Sequence, residues 1–269
     1  MFCGMSTACF IGKYFTEESI DAMASIGVKD VEIFLSCPSE YKIKFIKNLK
    51  KRLDDNGMRA HSVHAFSVGF EPQIFSIYER SRKDAFNYFM KIVKAANCLG
   101  ATMYSFHGPA NYKGNLELYI NYKACADKTR KLIDAAADYG VSLAWENVYW
   151  CAFSNPGFVE KMDANGYLDN LRFTLDIKQA AQSGISVDKY IDAMGDRLAN
   201  IHICDFRYTD KGVEPCLPFT GEMDFLKFKN KLKEVNYTGG LITEVYGRNY
   251  HDLDELKHTY DRVKSFFEE

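Results

Sequence analysis

The feature that most constrains the fold of this chain is a regular alternation between short apolar segments and longer amphipathic ones. Eight short segments, rich in β-branched or aromatic residues, are predicted strands. They are Met1–Met5, Asp30–Phe34, Arg59–His64, Thr102–His107, Ser142–Asn147, Arg172–Asp176, Ala199–Ile203 and Leu241–Val245. The intervening segments repeat apolar residues at helical spacing. The predicted helices among them are Thr16–Ile26, Tyr41–Asn56, Arg80–Leu99, Leu116–Tyr139, Ser186–Met194, Asp224–Val235 and Asp252–Phe267. This alternation predicts βαβ units, which build a parallel sheet.

The number of repeated units distinguishes between two parallel architectures. Eight units in 269 residues give about 34 residues a unit, which is typical of a closed (β/α)8 barrel. The competing doubly wound open sheet predicts a glycine-rich phosphate loop after the first strand. Residues 4–8 read GMSTA, and no GxGxxG motif follows the first strand. We therefore predict an α/β fold with one domain, a TIM barrel spanning residues 1–269.

Charge and cysteine content narrow the class of protein. Lys and Arg number 34 against 36 Asp and Glu, and the net charge of -2 argues against a broad nucleic-acid-binding surface. The eight cysteines include no CxxC pair, so we expect reduced thiols and a cytoplasmic location. The N-terminal segment lacks a secretory signal pattern, and no apolar run approaches the roughly 20 residues that cross a bilayer. We expect neither a nucleic acid nor a membrane as partner, while a homo-oligomer stays possible.

Four successive predicted strands end in a residue that can bind a metal: Glu146, Asp176, His202 and Glu244. Singly, such a carboxylate is commonly a helix N-cap, and such a histidine a hydrogen-bonded core residue. A barrel brings its strand ends together on one face, however, so these four side chains are expected to meet. Three buried carboxylates resist ionisation unless a cation compensates them. The set therefore predicts one divalent ion, and its oxygen-rich character suits Mn²⁺, Mg²⁺, Co²⁺ or Zn²⁺.

Motifs along the whole chain carry a family resemblance. The segments SVHAF, YSFHGPAN, AWENV, FTLDIKQA, NIHICDF, TGEMDF and LITEVYG resemble the xylose-isomerase-like TIM-barrel superfamily. Its members include sugar phosphate isomerases and epimerases, ketose 3-epimerases, hydroxypyruvate isomerase, inosose dehydratase and endonuclease IV. The resemblance to the ketose epimerases implies that Glu146, Asp176, His202 and Glu244 hold Mn²⁺ or a similar ion. It also implies that Glu146 and Glu244 act as the catalytic acid–base pair.

The chain departs from its relatives at Gln179, where endonuclease IV has a histidine three residues after the strand-six aspartate. Endonuclease IV also has an Asp-x-His element after strand seven, and none lies between His202 and Gly221. Two of its three metals would therefore lack ligands, which argues against DNA repair. In the ketose 3-epimerases the same histidine binds substrate. We therefore expect Gln179 to bind substrate here, and we expect the substrate to differ from that of those enzymes. Arg207 lies near the position of a substrate-binding arginine in those enzymes, and a surface arginine is the alternative interpretation.

Two further histidines end predicted strands three and four, His64 and His107. They would complete a second metal site in endonuclease IV. With Gln179 present, we predict instead that both histidines hydrogen-bond substrate hydroxyls or the metal's ligands. Phe34 and Phe66 lie near the predicted mouth and are candidates for an apolar wall.

The first functional hypothesis is a divalent-metal-dependent isomerase or epimerase of a sugar, sugar phosphate or related small hydroxy-carbonyl compound. One glutamate removes the proton α to the carbonyl, the metal stabilises the resulting enediolate, and the other glutamate returns a proton. The alternatives are an inosose-type keto-polyol dehydratase and a sugar-binding barrel without turnover. The sequence leaves the substrate, its phosphorylation, the metal and the oligomeric state open.

Overall fold

Eight parallel strands close into a barrel in the computed structural model, which describes residues 1–110, 120–166 and 168–268. The barrel strands are β1 (Phe2–Ser6), β2 (Asp30–Leu35), β3 (Arg59–Ala65), β4 (Met103–Phe106), β5 (Ser142–Glu146), β6 (Arg172–Asp176), β7 (Leu198–Ile203) and β10 (Gly240–Thr243). Strand β1 pairs with both β2 and β10, so the sheet has no free edge. The predicted (β/α)8 TIM barrel is confirmed, and the open doubly wound sheet is excluded.

Helices surround the barrel in the order that the sequence predicts. They are α1 (Thr16–Ser25), α2 (Ile43–Asp55), α3 (Glu71–Ile74), α4 (Glu79–Leu99), α5 (Tyr122–Ala137), α6 (Gly157–Ala164), α7 (Ile177–Gln182), α8 (Val187–Met194), α9 (Phe225–Glu234) and α10 (Leu253–Glu268). The first four residues of the predicted helix Leu116–Tyr139 lie outside the described residues. The short helices α3, α6 and α7 were not predicted, because one or two turns give too little apolar periodicity. Among the described residues, no helix is both long and apolar enough to span a bilayer.

Strand alternation separates an outer apolar layer from an inner polar one. On β5, Leu143 and Trp145 are fully buried and face the helices, where the Trp145 ring stacks on Phe158 of α6 at 5.1 Å between centroids. The next position, Glu146, points to the barrel axis because successive side chains alternate between the two faces of a strand. The same rule turns Glu32 of β2 inward between Val31 and Ile33. The fold thus directs apolar side chains outward and polar ones toward the axis.

An antiparallel hairpin leaves the barrel directly after β7. Its strands are β8 (Asp205–Thr209) and β9 (Gly212–Cys216). Most of its residues are at least partly exposed, including Arg207 and Tyr208. The sequence did not predict these strands, because the segment is polar, short and contains Pro215. Arg207 is part of β8 and is therefore carried on this hairpin.

Candidate metal centre and active site

The four strand-end residues meet at the carboxyl end of the barrel. Glu146 and Asp176 are the last residues of β5 and β6, His202 is the last but one of β7, and Glu244 follows β10 directly. The Nδ1 atom of His202 lies 3.2 Å from Glu244 Oε2 and 3.8 Å from both Glu146 Oε1 and Asp176 Oδ2. All four side chains are buried. The fold therefore brings together the complete set of predicted metal ligands.

The donor atoms of this set fit a divalent cation. His202 Nδ1 is buried and forms no hydrogen bond, while the buried Asp176 Oδ2 has the Lys178 ammonium as an ion-pair partner at 3.1 Å. Ligands that lie about 2.0–2.3 Å from an ion stand about 3–4 Å from one another, as these atoms do. Buried polar atoms without a partner are costly, and an ion in this position would satisfy them. The cluster can therefore hold a metal ion, although its donors do not identify which metal.

Attraction to nearby histidine and lysine side chains keeps Glu146 and Glu244 ionised despite their burial. Burial raises the pKa of Glu146, but the facing rings of His107 and His202 outweigh it, so the pKa falls well below its usual value. Burial also raises the pKa of Glu244, and there His202 and Lys178 outweigh it in the same direction. Ionised carboxylates are the form that both metal binding and proton removal require.

Each glutamate directs one oxygen to His202 and the other toward a second histidine. Glu146 Oε1 faces His202, while Glu146 Oε2 lies 3.2 Å from His107 Nε2. Glu244 Oε2 faces His202, while Glu244 Oε1 lies 3.6 Å from His64 Nδ1. A carboxylate in this arrangement can ligate an ion through one oxygen and exchange a proton through the other.

The histidines His64 and His107 lie beside Glu146, with their Nε2 atoms 3.6 and 3.2 Å from its Oε2 atom. Their Nε2 atoms are 2.7 Å apart, and His107 Nδ1 is 2.5 Å from the hydroxyl of Ser67. One ring nitrogen of each histidine and a Glu146 oxygen also lie close enough together to share an ion. The geometry therefore fits both roles that the sequence leaves open for this pair.

Lys178 lies closer to the candidate metal centre than the sequence indicates, since the sequence makes it a candidate phosphate partner near the mouth or a solvent-facing charge. It lies in the first turn of α7, is buried, and places Nζ 3.1 Å from Asp176 Oδ2 and 3.6 Å from Glu244 Oε2. Its Nζ also lies 5.1 Å from the centre of the Tyr246 ring. Its two-residue distance from Asp176 was the only signal that it belongs to the site.

A cavity of about 240 Å³ opens above the two glutamates. Glu146, Glu244, His64, His107, Lys178 and Gln179 line its floor and one side, and the apolar residues include Ile11, Phe34, Phe66, Val68 and Tyr246. The interpretation of Phe34 and Phe66 as apolar wall residues agrees with this lining. The volume is small for a ligand pocket, which favours a small substrate.

Gln179 and Arg207 differ in their relation to this cavity. Gln179 lines it, and its side-chain oxygen accepts a hydrogen bond from the Tyr149 backbone N–H at 3.1 Å. Arg207 lies on β8, is exposed, donates to the Thr220 carbonyl at 2.5 Å and is not among the lining residues. The structure thus brings Gln179 to the site and leaves Arg207 on the hairpin. The proposed substrate contact of Arg207 stays a prediction.

Glu32 is a further residue of the site that was not predicted from the sequence. It is fully buried in the middle of β2, beneath His202, with Oε2 at 3.2 Å from His202 Nε2. The sequence could have indicated Glu32 because it is a carboxylate between Val31 and Ile33, and a charge inside an apolar strand needs a partner.

Fold and site together define a xylose-isomerase-like barrel. The xylose isomerase-like TIM barrel family matches residues 20–266, so the chain belongs to this family. No curated protein sequence matches the chain significantly.

Solved structures of the same fold cover nearly the whole chain. A D-tagatose 3-epimerase-like protein has a TM-score of 0.79 at 21% identity, with 100% of this chain and 98% of that one covered. An L-ribulose 3-epimerase has a TM-score of 0.81 at 15% identity, with 100% and 95% covered. The IOLI protein, solved with a bound zinc atom, has a TM-score of 0.80 at 16% identity, with 99% and 98% covered.

Proposed function

We propose that this protein is a divalent-metal-dependent isomerase or epimerase of a small hydroxy-carbonyl compound, such as a sugar. The observation that carries the proposal is the arrangement of Glu146 and Glu244, each with one oxygen on the candidate metal centre and the other directed toward a histidine. The sugar epimerases of the same fold support this substrate class. The expected location is the cytoplasm, and the expected partner is a small molecule.

The metal would be held by Glu146, Asp176, His202 and Glu244, with Mn²⁺ as our first candidate ahead of Mg²⁺, Co²⁺ and Zn²⁺. When bound, it supplies a Lewis acid that stabilises negative charge on the substrate's carbonyl oxygen. The zinc atom in IOLI supports a metal in this fold. The buried Nδ1 atom of His202, which forms no hydrogen bond, supports it in this chain.

The two glutamates carry out the proton transfers in this proposal. Glu146 and Glu244 both line the cavity and are both ionised, so either can remove the proton α to a carbonyl. The second glutamate is also ionised, so it first takes up a proton through its facing histidine. It then gives that proton to the opposite face of the carbon for epimerisation, or to the neighbouring carbon for isomerisation, and the first glutamate releases its proton to solvent. His107 Nε2 and His64 Nδ1 lie 3.2 and 3.6 Å from the outward oxygens and can relay that proton.

Other cavity residues orient and shield the substrate. Lys178 donates from its buried ammonium to a substrate oxygen, next to the proposed ligands Asp176 and Glu244. Phe34, Phe66 and Tyr246 cover the C–H faces of the substrate and keep water from the reacting carbons.

The test is metal-dependent proton exchange. The chelator-treated protein is reloaded separately with Mn²⁺, Mg²⁺, Co²⁺ or Zn²⁺ and incubated in D₂O with ketoses, keto-inositols or hydroxypyruvate, with and without phosphate groups. We expect deuterium to enter the carbon next to the carbonyl only in metal-loaded samples, together with an isomeric product seen by NMR. A product lighter by one water would instead identify the keto-polyol dehydratase. Metal binding without exchange on any substrate would favour the non-catalytic sugar-binding barrel.

A further inference from the structure

Glu32 forms the centre of a buried hydrogen-bond cluster beneath the candidate metal centre. Its Oε2 atom accepts hydrogen bonds from the hydroxyls of Ser62 at 2.7 Å and Ser105 at 3.1 Å. Asn200 Nδ2 donates to the same oxygen at 3.4 Å, and His202 Nε2 lies 3.2 Å from it. Four side chains from three other strands, β3, β4 and β7, therefore converge on one carboxylate oxygen.

The chemistry of these partners fixes the direction of the bond to His202. The Asn200 amide nitrogen has no lone pair to offer, so Glu32 Oε2 is the acceptor in that contact. An ionised carboxylate only accepts, and His202 Nε2 must then carry the hydrogen. A neutral imidazole has a single N–H, which leaves the Nδ1 lone pair free. That atom is the one that faces Glu146, Asp176 and Glu244.

A purely structural role does not explain a carboxylate at this position. Glu32 is fully buried, and a buried charge is more costly than an apolar side chain unless hydrogen bonds and opposite charges compensate it. Its other oxygen, Oε1, forms no hydrogen bond and lies 3.7 Å from His64 Nδ1. The residue thus faces two histidines of the site from below.

We propose that Glu32 is the positioning residue that makes His202 a metal ligand through Nδ1. It holds the hydrogen on Nε2 and fixes the ring orientation, so that the Nδ1 lone pair points to the ion. This inference rests on the metal site of the proposed function. It adds a residue, and a ligating atom, that the four strand-end ligands do not by themselves define.

The first test compares Mn²⁺ binding in three forms of the chelator-treated full-length protein, with free Mn²⁺ followed by EPR. Glu32→Gln removes the charge and keeps the shape, and we expect it to weaken binding about 10- to 100-fold. Glu71→Gln is the matched control, because Glu71 is an equally buried carboxylate whose oxygens accept from Tyr104, His107 and Gly108 rather than from His202. We expect Glu71→Gln to bind Mn²⁺ within a few-fold of wild type.

The second test does not depend on the variant folding. The wild-type protein is labelled with ¹⁵N-histidine and loaded with diamagnetic Zn²⁺, and NMR reads which nitrogen of His202 carries hydrogen. Hydrogen on Nε2 supports the proposal, and hydrogen on Nδ1 overturns it. If wild type binds Mn²⁺ and Glu32→Gln binds it equally well, this inference alone is wrong. If wild type binds neither Mn²⁺ nor Zn²⁺, the proposed metal site is wrong and this inference falls with it.

Discussion

The ammonium of Lys178 lies 3.1 Å from Asp176 Oδ2, a proposed metal-ligating oxygen. Burial lowers the pKa of Lys178, but the carboxylates of Asp176 and Glu244 outweigh it and hold the pKa well above its usual value. The site therefore contains a fixed positive charge beside the proposed ion. In the proposed mechanism, this ammonium binds the substrate and does not support metal binding.

Lys178→Met should separate these two functions. The variant keeps the apolar stem but removes a positive charge next to the cation site, so Mn²⁺ affinity should be retained or increased. Loss of the donor should lower kcat/KM by at least about 10-fold on the substrate found by the exchange screen. Lys44→Met on the exposed face of α2 is the control and should change neither quantity. Weaker metal binding by Lys178→Met would contradict this assignment.

Asp176→Asn should weaken metal binding without unfolding the barrel. Asp176 Oδ1 accepts from the Gln179 backbone N–H at 2.8 Å at the start of α7, and asparagine can keep that N-cap. The variant loses one ligand charge, so Mn²⁺ affinity should fall at least about 10-fold. Titration against Asp192→Asn, at an exposed residue, provides the comparison. Equal metal content in both variants would remove Asp176 from the ligand set.

Metal binding should weaken as the pH falls. Burial lowers the pKa of His202, but Glu32, Glu244 and Glu146 outweigh it and raise the pKa well above its usual value. The metal-free protein therefore holds a proton on His202 that must leave before the ring can ligate an ion. Between about pH 6 and 8, Mn²⁺ affinity should rise about tenfold per pH unit for each proton released. Calorimetry in buffers of different ionisation enthalpy counts these protons, and a pH-independent affinity would contradict the prediction.

The proposed ligands were accessible to sequence reasoning because each stands at a strand end. In a barrel of parallel strands, that position alone places Glu146, Asp176, His202 and Glu244 on one face. Strand alternation likewise accounts for the position of Trp145 in the apolar layer, where it is fully buried. Local pattern and one topological rule were therefore sufficient for this part of the site.

The remaining residues could not be placed by those rules. Glu32 lies in mid-strand, and only closure of the barrel shows that its side chain meets Ser62, Ser105 and His202 from other strands. Lys178 sits in a helix turn, where a lysine usually faces solvent. The sequence left Arg207 open as a substrate-binding or a surface arginine, and an unpredicted hairpin carries it to an exposed position. Each case depends on contacts between segments distant in sequence.

Gln179→Ala should weaken substrate binding and leave the metal site intact. Gln179 lines the cavity, and its side-chain contact in the structure is to the Tyr149 backbone rather than to any proposed ligand. We therefore expect a higher KM, an unchanged Mn²⁺ affinity and a kcat reduced less than KM rises. Steady-state kinetics together with metal titration provide the measurement. Loss of metal would show that the Gln179 side chain supports the ion.

Glu146→Gln and Glu244→Gln should distinguish proton transfer from metal binding. Glutamine keeps the shape of each side chain and can still ligate weakly through its oxygen, but it cannot carry the proton. Each variant should therefore fold, retain some Mn²⁺ and lose turnover by about 100-fold or more.

The same pair of variants also shows which glutamate removes the proton and which one returns it. If the substrate is epimerised, the variant that lacks only the reprotonating glutamate should still exchange the α-proton with D₂O without forming product. The variant that lacks the proton-removing glutamate should show neither exchange nor product. Glu71→Gln tests whether loss of any buried carboxylate near the site has the same effect. Wild-type turnover by both Glu146→Gln and Glu244→Gln would rule out the two-glutamate mechanism.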